Sequence, residues 1–127
     1  MRPALAILCA VLASCATHPT NGANRWMESE RNACLPTAIA FREGLKGKAV
    51  WSEVIQYSYV ESDTKAIRGH AICAYLYPIG KNQLWTYDFQ GSSRVRAFIA
   101  NPIAIAQESE EVRGRPQNRV IIAEFLK

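Results

Sequence analysis

An α+β fold is predicted by three observations. A helix-like apolar run begins at Cys34, two strand-length apolar segments at 71–77 and 83–89 flank a turn, and a helical run after Asn101-Pro102 precedes a further strand-like segment at 119–126. Pro36 and Thr37 suit a first helical turn, and Leu35, Ala38, Ile39 and Phe41 continue the pattern until Gly44 and Gly47 end it. The segment 49–60 fits two periods. Val50, Trp51, Val54 and Ile55 form a helical stripe, whereas Trp51, Glu53, Ile55, Tyr57 and Tyr59 alternate as in a strand. Residues 61–65 read as a loop, 78–82 as a turn and Gly91-Ser92-Ser93 as another turn, with a third strand expected over 94–99. Asn101-Pro102 then opens a short helix to Val112.

The start of the chain reads as processing sequence. Arg2 precedes an apolar run that ends in Leu12-Ala13-Ser14-Cys15, which resembles the lipobox of bacterial lipoproteins. That resemblance implies cleavage before Cys15, acylation of Cys15 and anchoring of the domain outside the cytoplasm; an ordinary cleaved leader with Cys15 incidental is the alternative. The apolar run is shorter than the roughly 20 residues that span a bilayer. Residue Ala16, where an Asp would otherwise signal retention, resembles the outer-membrane sorting pattern, so the expected location is the outer membrane, facing the periplasm. The expected organisation is a leader at 1–14, a lipidated Cys15 with a polar, turn-rich tether at 15–26, and one domain at 27–127.

The charge balance excludes little. Losing Arg2 leaves 14 basic residues against 11 acidic ones, and the basic residues are scattered rather than striped with aromatics, so no nucleic-acid partner is expected. Residues 27–127 suffice for a single modest core.

Chemistry concentrates at three residues. Cys34 stands in Asn32-Ala33-Cys34-Leu35-Pro36-Thr37-Ala38, His70 in Arg68-Gly69-His70-Ala71, and Asp88 in Trp85-Thr86-Tyr87-Asp88-Phe89. A thiol at a helix N-terminus meets unsatisfied amides and the positive end of the helix dipole, which favour the thiolate. A hairpin loop of three or five residues centred on Ile79 would put Asp88 directly opposite His70, where it could orient the imidazole. Once Cys9 leaves and Cys15 is acylated, Cys34 and Cys73 remain, and a disulfide between them competes with a Cys34–His70 pair. On a strand, His70, Ile72 and Ala74 share one face while Ala71, Cys73 and Tyr75 share the other, so the two arrangements are close to mutually exclusive. The apolar setting of Cys73 favours the catalytic pair. No close ligand pair matches a metal site, and no cofactor is expected.

The order of thiol, histidine and acid, with Gly69-His70-Ala71 and an aromatic-Asp strand ending in Phe89-Gln90-Gly91, resembles the papain-like cysteine peptidase superfamily. Its small bacterial double-glycine-peptidase-like and transglutaminase-like branches are nearest in pattern. The resemblance implies a papain-like fold, with an N-terminal helix bearing the cysteine packed on an antiparallel sheet. It also implies Cys34 as nucleophile, His70 as base and acid, and Asp88 as orienter. In that family a glutamine upstream of the nucleophile donates to the oxyanion; here Glu28 holds the six-before position and Asn32 is the nearest amide, so both are candidates. The expected activity is hydrolysis of a peptide or amide bond through a Cys34 acyl-enzyme, acting on a peptide, cell-wall or isopeptide substrate. An inactive papain-like lipoprotein serving as a binding or structural module is the alternative.

Overall fold

The computed structural model describes residues 33–78, 83–97 and 101–126. Along the chain run α1 (Cys34–Gly44), β1 (Trp51–Val60), β2 (Ile67–Tyr77), β3 (Gln83–Asp88), β4 (Gly91–Val95), α2 (Pro102–Val112) and β5 (Arg119–Phe125). The five strands form one antiparallel sheet in the order β4-β3-β2-β1-β5, so the described part of the chain is α+β, as its pattern predicts. Among the described residues, no helix is long and apolar enough to cross a membrane. The leader, Cys15, Glu28 and Asn32 lie outside the described residues.

The two helices cover opposite faces. Ala38 of α1 packs with Val54, Ala71, Cys73 and Tyr75, whereas Ile105 and Ala106 of α2 pack with Ile55, Tyr57, Ile72 and Ala74. Successive residues on a strand point to opposite faces, so β1 buries every residue from Val54 to Tyr59. This explains the double reading of 49–60: a strand covered on both sides loses the clean alternation that marks a half-buried one.

Each helix start has a local cause. Ala33 takes a left-handed conformation (φ 67°) ahead of α1 and its carbonyl accepts from Thr37 N at 3.1 Å, without a side-chain cap. At α2 the Asn101 side chain accepts from Ala104 N at 3.1 Å, and Pro102 fills a position where the missing N–H costs nothing.

The third strand departs from expectation. It spans Gly91–Val95, so Gly91-Ser92-Ser93 is strand rather than turn, and the reversal falls on Phe89 and Gln90. Two residues drive this shift. The Asp88 carboxylate accepts from Gln90 N at 2.8 Å, and Gly91 takes φ 110°, which a residue with a side chain rarely adopts.

The hairpin between β2 and β3 also differs in register. Tyr77 pairs with Gln83 and Cys73 with Tyr87, which centres the reversal on position 80, not on Ile79. Asp88 is therefore displaced two residues along β3 from the expected partner of His70. A shift of two keeps the same face, and the diagonal distance stays within reach of long polar side chains.

Candidate functional site

The α2 face of the sheet carries a buried polar network. His70 sits opposite Tyr57 on β1, its ring edge-on to Tyr57 at 5.5 Å and to Phe89 at 5.8 Å. His70 Nε2 lies 3.1 Å from Asp88 Oδ2, so the expected His–Asp contact is present although its register differs. The other carboxylate oxygen of Asp88 accepts from Arg113 at 2.9 Å. Arg113 is the residue that terminates α2, and the same guanidinium also donates to the backbone oxygens of Thr86 at 2.7 Å and Gly91 at 3.1 Å. Asp88 thus ties β2, the β3–β4 turn and the end of α2 together.

A second ionic cluster adjoins the first. Glu110 of α2 is fully buried; it accepts from the Tyr57 hydroxyl, from Arg115 at 2.8 Å and from Asn118 at 3.0 Å. Asn118 in turn accepts from Ser62 N at 3.1 Å, which pins the loop after β1. Burial acts to raise the pKa of both carboxylates but is outweighed. The His70 hydrogen bond and charge, then Arg113 and the Gln90 N–H, hold Asp88 below its ordinary value, and Arg115, His70 and Tyr57 do the same for Glu110. The Tyr57 hydroxyl is held well above its ordinary value by burial and by the neighbouring Glu110 charge. The network is therefore built to keep two buried carboxylates ionised.

The α1 face is of another kind. Cys34 opens α1 and is buried at 4 % exposure, within the cluster that contains Ala71 and Cys73. The odd spacing between His70 and Cys73 separates them as expected, but the face turned toward Cys34 is the one bearing Cys73. The expected Cys34–His70 pair is therefore corrected: the sheet stands between the two residues, and His70 and Asp88 meet each other without meeting Cys34. The disulfide weighed between Cys34 and Cys73 is corrected too. Cys73 is a free, fully buried thiol, so it does not bridge Cys34. Burial pushes the Cys73 thiol up to about 12, so it packs as a small hydrophobe and is inert as a nucleophile.

Beside α1 the sheet presents rings. Phe41 stacks on Tyr87 with centroids 3.8 Å apart, and leans on Tyr75 at 5.3 Å. Tyr75 is edge-on to Tyr77 at 5.9 Å and lies directly across the β2–β3 pair from Trp85. Phe41, Tyr75, Tyr77 and Trp85 wall a groove of about 670 Å³, which Lys48 and Gln83 also line.

Reasoning from sequence missed Glu110, Tyr57 and the role of Arg113. One signal was available. Ile105, Ala106, Ser109, Glu110 and Arg113 fall on one stripe of α2, so polar residues at the end of an apolar stripe announced a buried polar cluster. Among the described residues no three His, Cys, Asp or Glu side chains converge as metal ligands. Comparisons of the chain with models of protein families, with curated proteins and with solved structures find no match.

Proposed function

We propose that this chain is a lipid-anchored envelope protein whose α+β domain, papain-like in the chain order of its thiol, histidine and acid, serves as a binding or structural module and does not hydrolyse substrate. The observation that supports it is the partition of the site. Cys34 lies on the α1 face, whereas His70 and Asp88 lie on the α2 face, locked to Arg113. A thiol nucleophile must be reduced and within hydrogen-bond reach of its base. Cys34 fails the second condition, because the sheet separates it from His70. Anchoring is proposed through acylated Cys15, where more than one acyl chain would give stable membrane retention.

Thiol hydrolysis is a second reading, favoured by one observation, the His70–Asp88 contact at 3.1 Å. It would require the helix start that bears Cys34 to move around the sheet edge to His70.

The test is iodoacetamide labelling of Cys34 in full-length protein isolated from membranes, read by peptide mass with and without reductant, with His70→Ala alongside. Under the proposal Cys34 labels in the reduced protein with a pH dependence near the ordinary thiol value of about 8.5, and His70→Ala changes nothing. Rapid labelling at pH 6 without reductant that collapses in His70→Ala would establish a thiolate–imidazolium pair and restore the hydrolase. A sulfur that carries an acyl-glyceryl thioether cannot enter a disulfide, so the unreduced peptide map also reads the state of Cys15.

A further inference from the structure

The groove beside α1 combines three properties that the packing of the fold does not require. Its walls are aromatic faces, supplied by Phe41, Tyr75, Tyr77 and Trp85. These rings hold one another in place, since Phe41 is stacked on Tyr87 and Tyr75 is fixed between Phe41 and Tyr77, so the groove is formed before anything enters it. Its volume of about 670 Å³ falls within the range of roughly 300–1,000 Å³ typical of small-molecule sites.

The polar groups narrow the occupant. The Tyr75 hydroxyl is already committed to Ser92 Oγ at 2.7 Å, which leaves the Lys48 ammonium, the Trp85 indole N–H, the Tyr77 hydroxyl and the Gln83 amide as the polar side-chain groups. Lys48 and Trp85 can only donate, so a ligand that presents acceptors is better satisfied there than one rich in its own donors. Ring faces prefer other rings in offset or edge-on contact. The charge is one-signed. Lys48 is exposed and forms no ion pair among the described residues, no Asp or Glu lines the groove, and the nearby Glu43 is occupied by Lys46 at 2.9 Å.

We infer that this groove is a binding site for a planar aromatic anion, its ring body lying among Phe41, Tyr75, Tyr77 and Trp85 and its anionic group beside Lys48. The inference does not depend on envelope location or on the state of Cys34.

The fold offers a clean way to close the site. Gly44 lines the groove, and a side chain there would begin in open space with no atom within 4 Å of its first carbon, so Gly44→Trp puts a large ring at the groove wall without a clash at its first carbon. The experiment titrates the full-length protein with naphthalene-2-carboxylate and, separately, with the neutral naphthalene-2-carboxamide, by calorimetry at low salt. Expected is saturable binding of the acid, about 5-fold tighter than the amide, the size of effect that one exposed charge pair gives. Lys48→Glu weakens the acid at least about 5-fold while leaving the amide within about 2-fold, and Gly44→Trp removes both. Equal binding of acid and amide, equal effects of Lys48→Glu on the two, acid binding that survives Gly44→Trp, or no binding at millimolar acid would each overturn the assignment.

Discussion

On the α1 side of the sheet the contacts are ring on ring and thiol on methyl, and one flank stays open as a groove. On the α2 side the same depth of burial holds His70, Asp88, Glu110 and Arg113, each with its hydrogen bonds made. Both sides bury β1 and β2 equally well, yet they differ in what they demand of the sequence. Apolar packing tolerates approximate shape, because each contact contributes little and neighbours can adjust. A buried ionic network tolerates no missing member, because the partner left behind is a charge without solvent. The α1 face is therefore the place where this protein can vary and bind. The α2 face specifies the fold.

The sharpest way to break that comparison is to delete a comparable side chain on each face. Asp88→Ala strands the Arg113 side chain, itself only 4 % exposed, and is expected to cost about 3–5 kcal/mol in urea unfolding. Cys73→Ala, a small deletion at a fully buried site on the other face, is expected to cost about 1 kcal/mol. Similar losses for the two variants would show that the network is not what distinguishes the α2 face.

Acid gives the next largest effect. Asp88 and Glu110 are held below their ordinary pKa values in the folded state, so their contribution is complete above the unfolded values of about 3.9 and 4.3 and is lost as pH falls through the folded values. Stability should thus fall steeply below about pH 4, and Asp88→Asn should flatten that fall by removing one of the two linked groups. An acid limb unchanged in slope would place the linked protons elsewhere.

The smallest effect concerns a blemish on the polar face. Arg68 donates to Glu61 at 3.2 Å, but its Nε and Nη1 are buried without partners. Replacing this half-satisfied guanidinium by Met keeps the apolar stem and removes the orphan donors. Arg68→Met is expected to be neutral or to stabilise by up to about 1 kcal/mol, and a loss above that would mean that the guanidinium contributes through contacts other than hydrogen bonds.

How much of this was legible can be argued from a few residues. Both helix starts could be read, because Pro36 and Asn101-Pro102 act within one turn of chain. The hairpin of β2 and β3 was legible from its apolar runs, and the His70–Asp88 contact survived a register error because a slip of two preserves the face. What could not be read is which side of the sheet each helix would take. The alternation of His70 and Cys73 separates two faces without labelling them, and only the three-dimensional path of the chain decides which one meets Cys34. Arg113 was invisible for a related reason: its partners at Asp88, Thr86 and Gly91 are remote in sequence and meet it only when α2 docks.

The placement of β5 has a consequence for how the molecule is made. This last strand pairs with β1, setting Ile55 against Phe125 and Val60 against Arg119, and the approach to it carries Asn118, which completes the shell around Glu110. Pairings of such long sequence separation form slowly, since a large loop must close before they stabilise anything. A chain emerging from its start would hold Tyr57 and the far edge of β1 exposed until the final strand arrives. Synthesis must therefore have passed β5 before the fold can close, and the interval before closure is when this domain is most vulnerable to proteases and to aggregation.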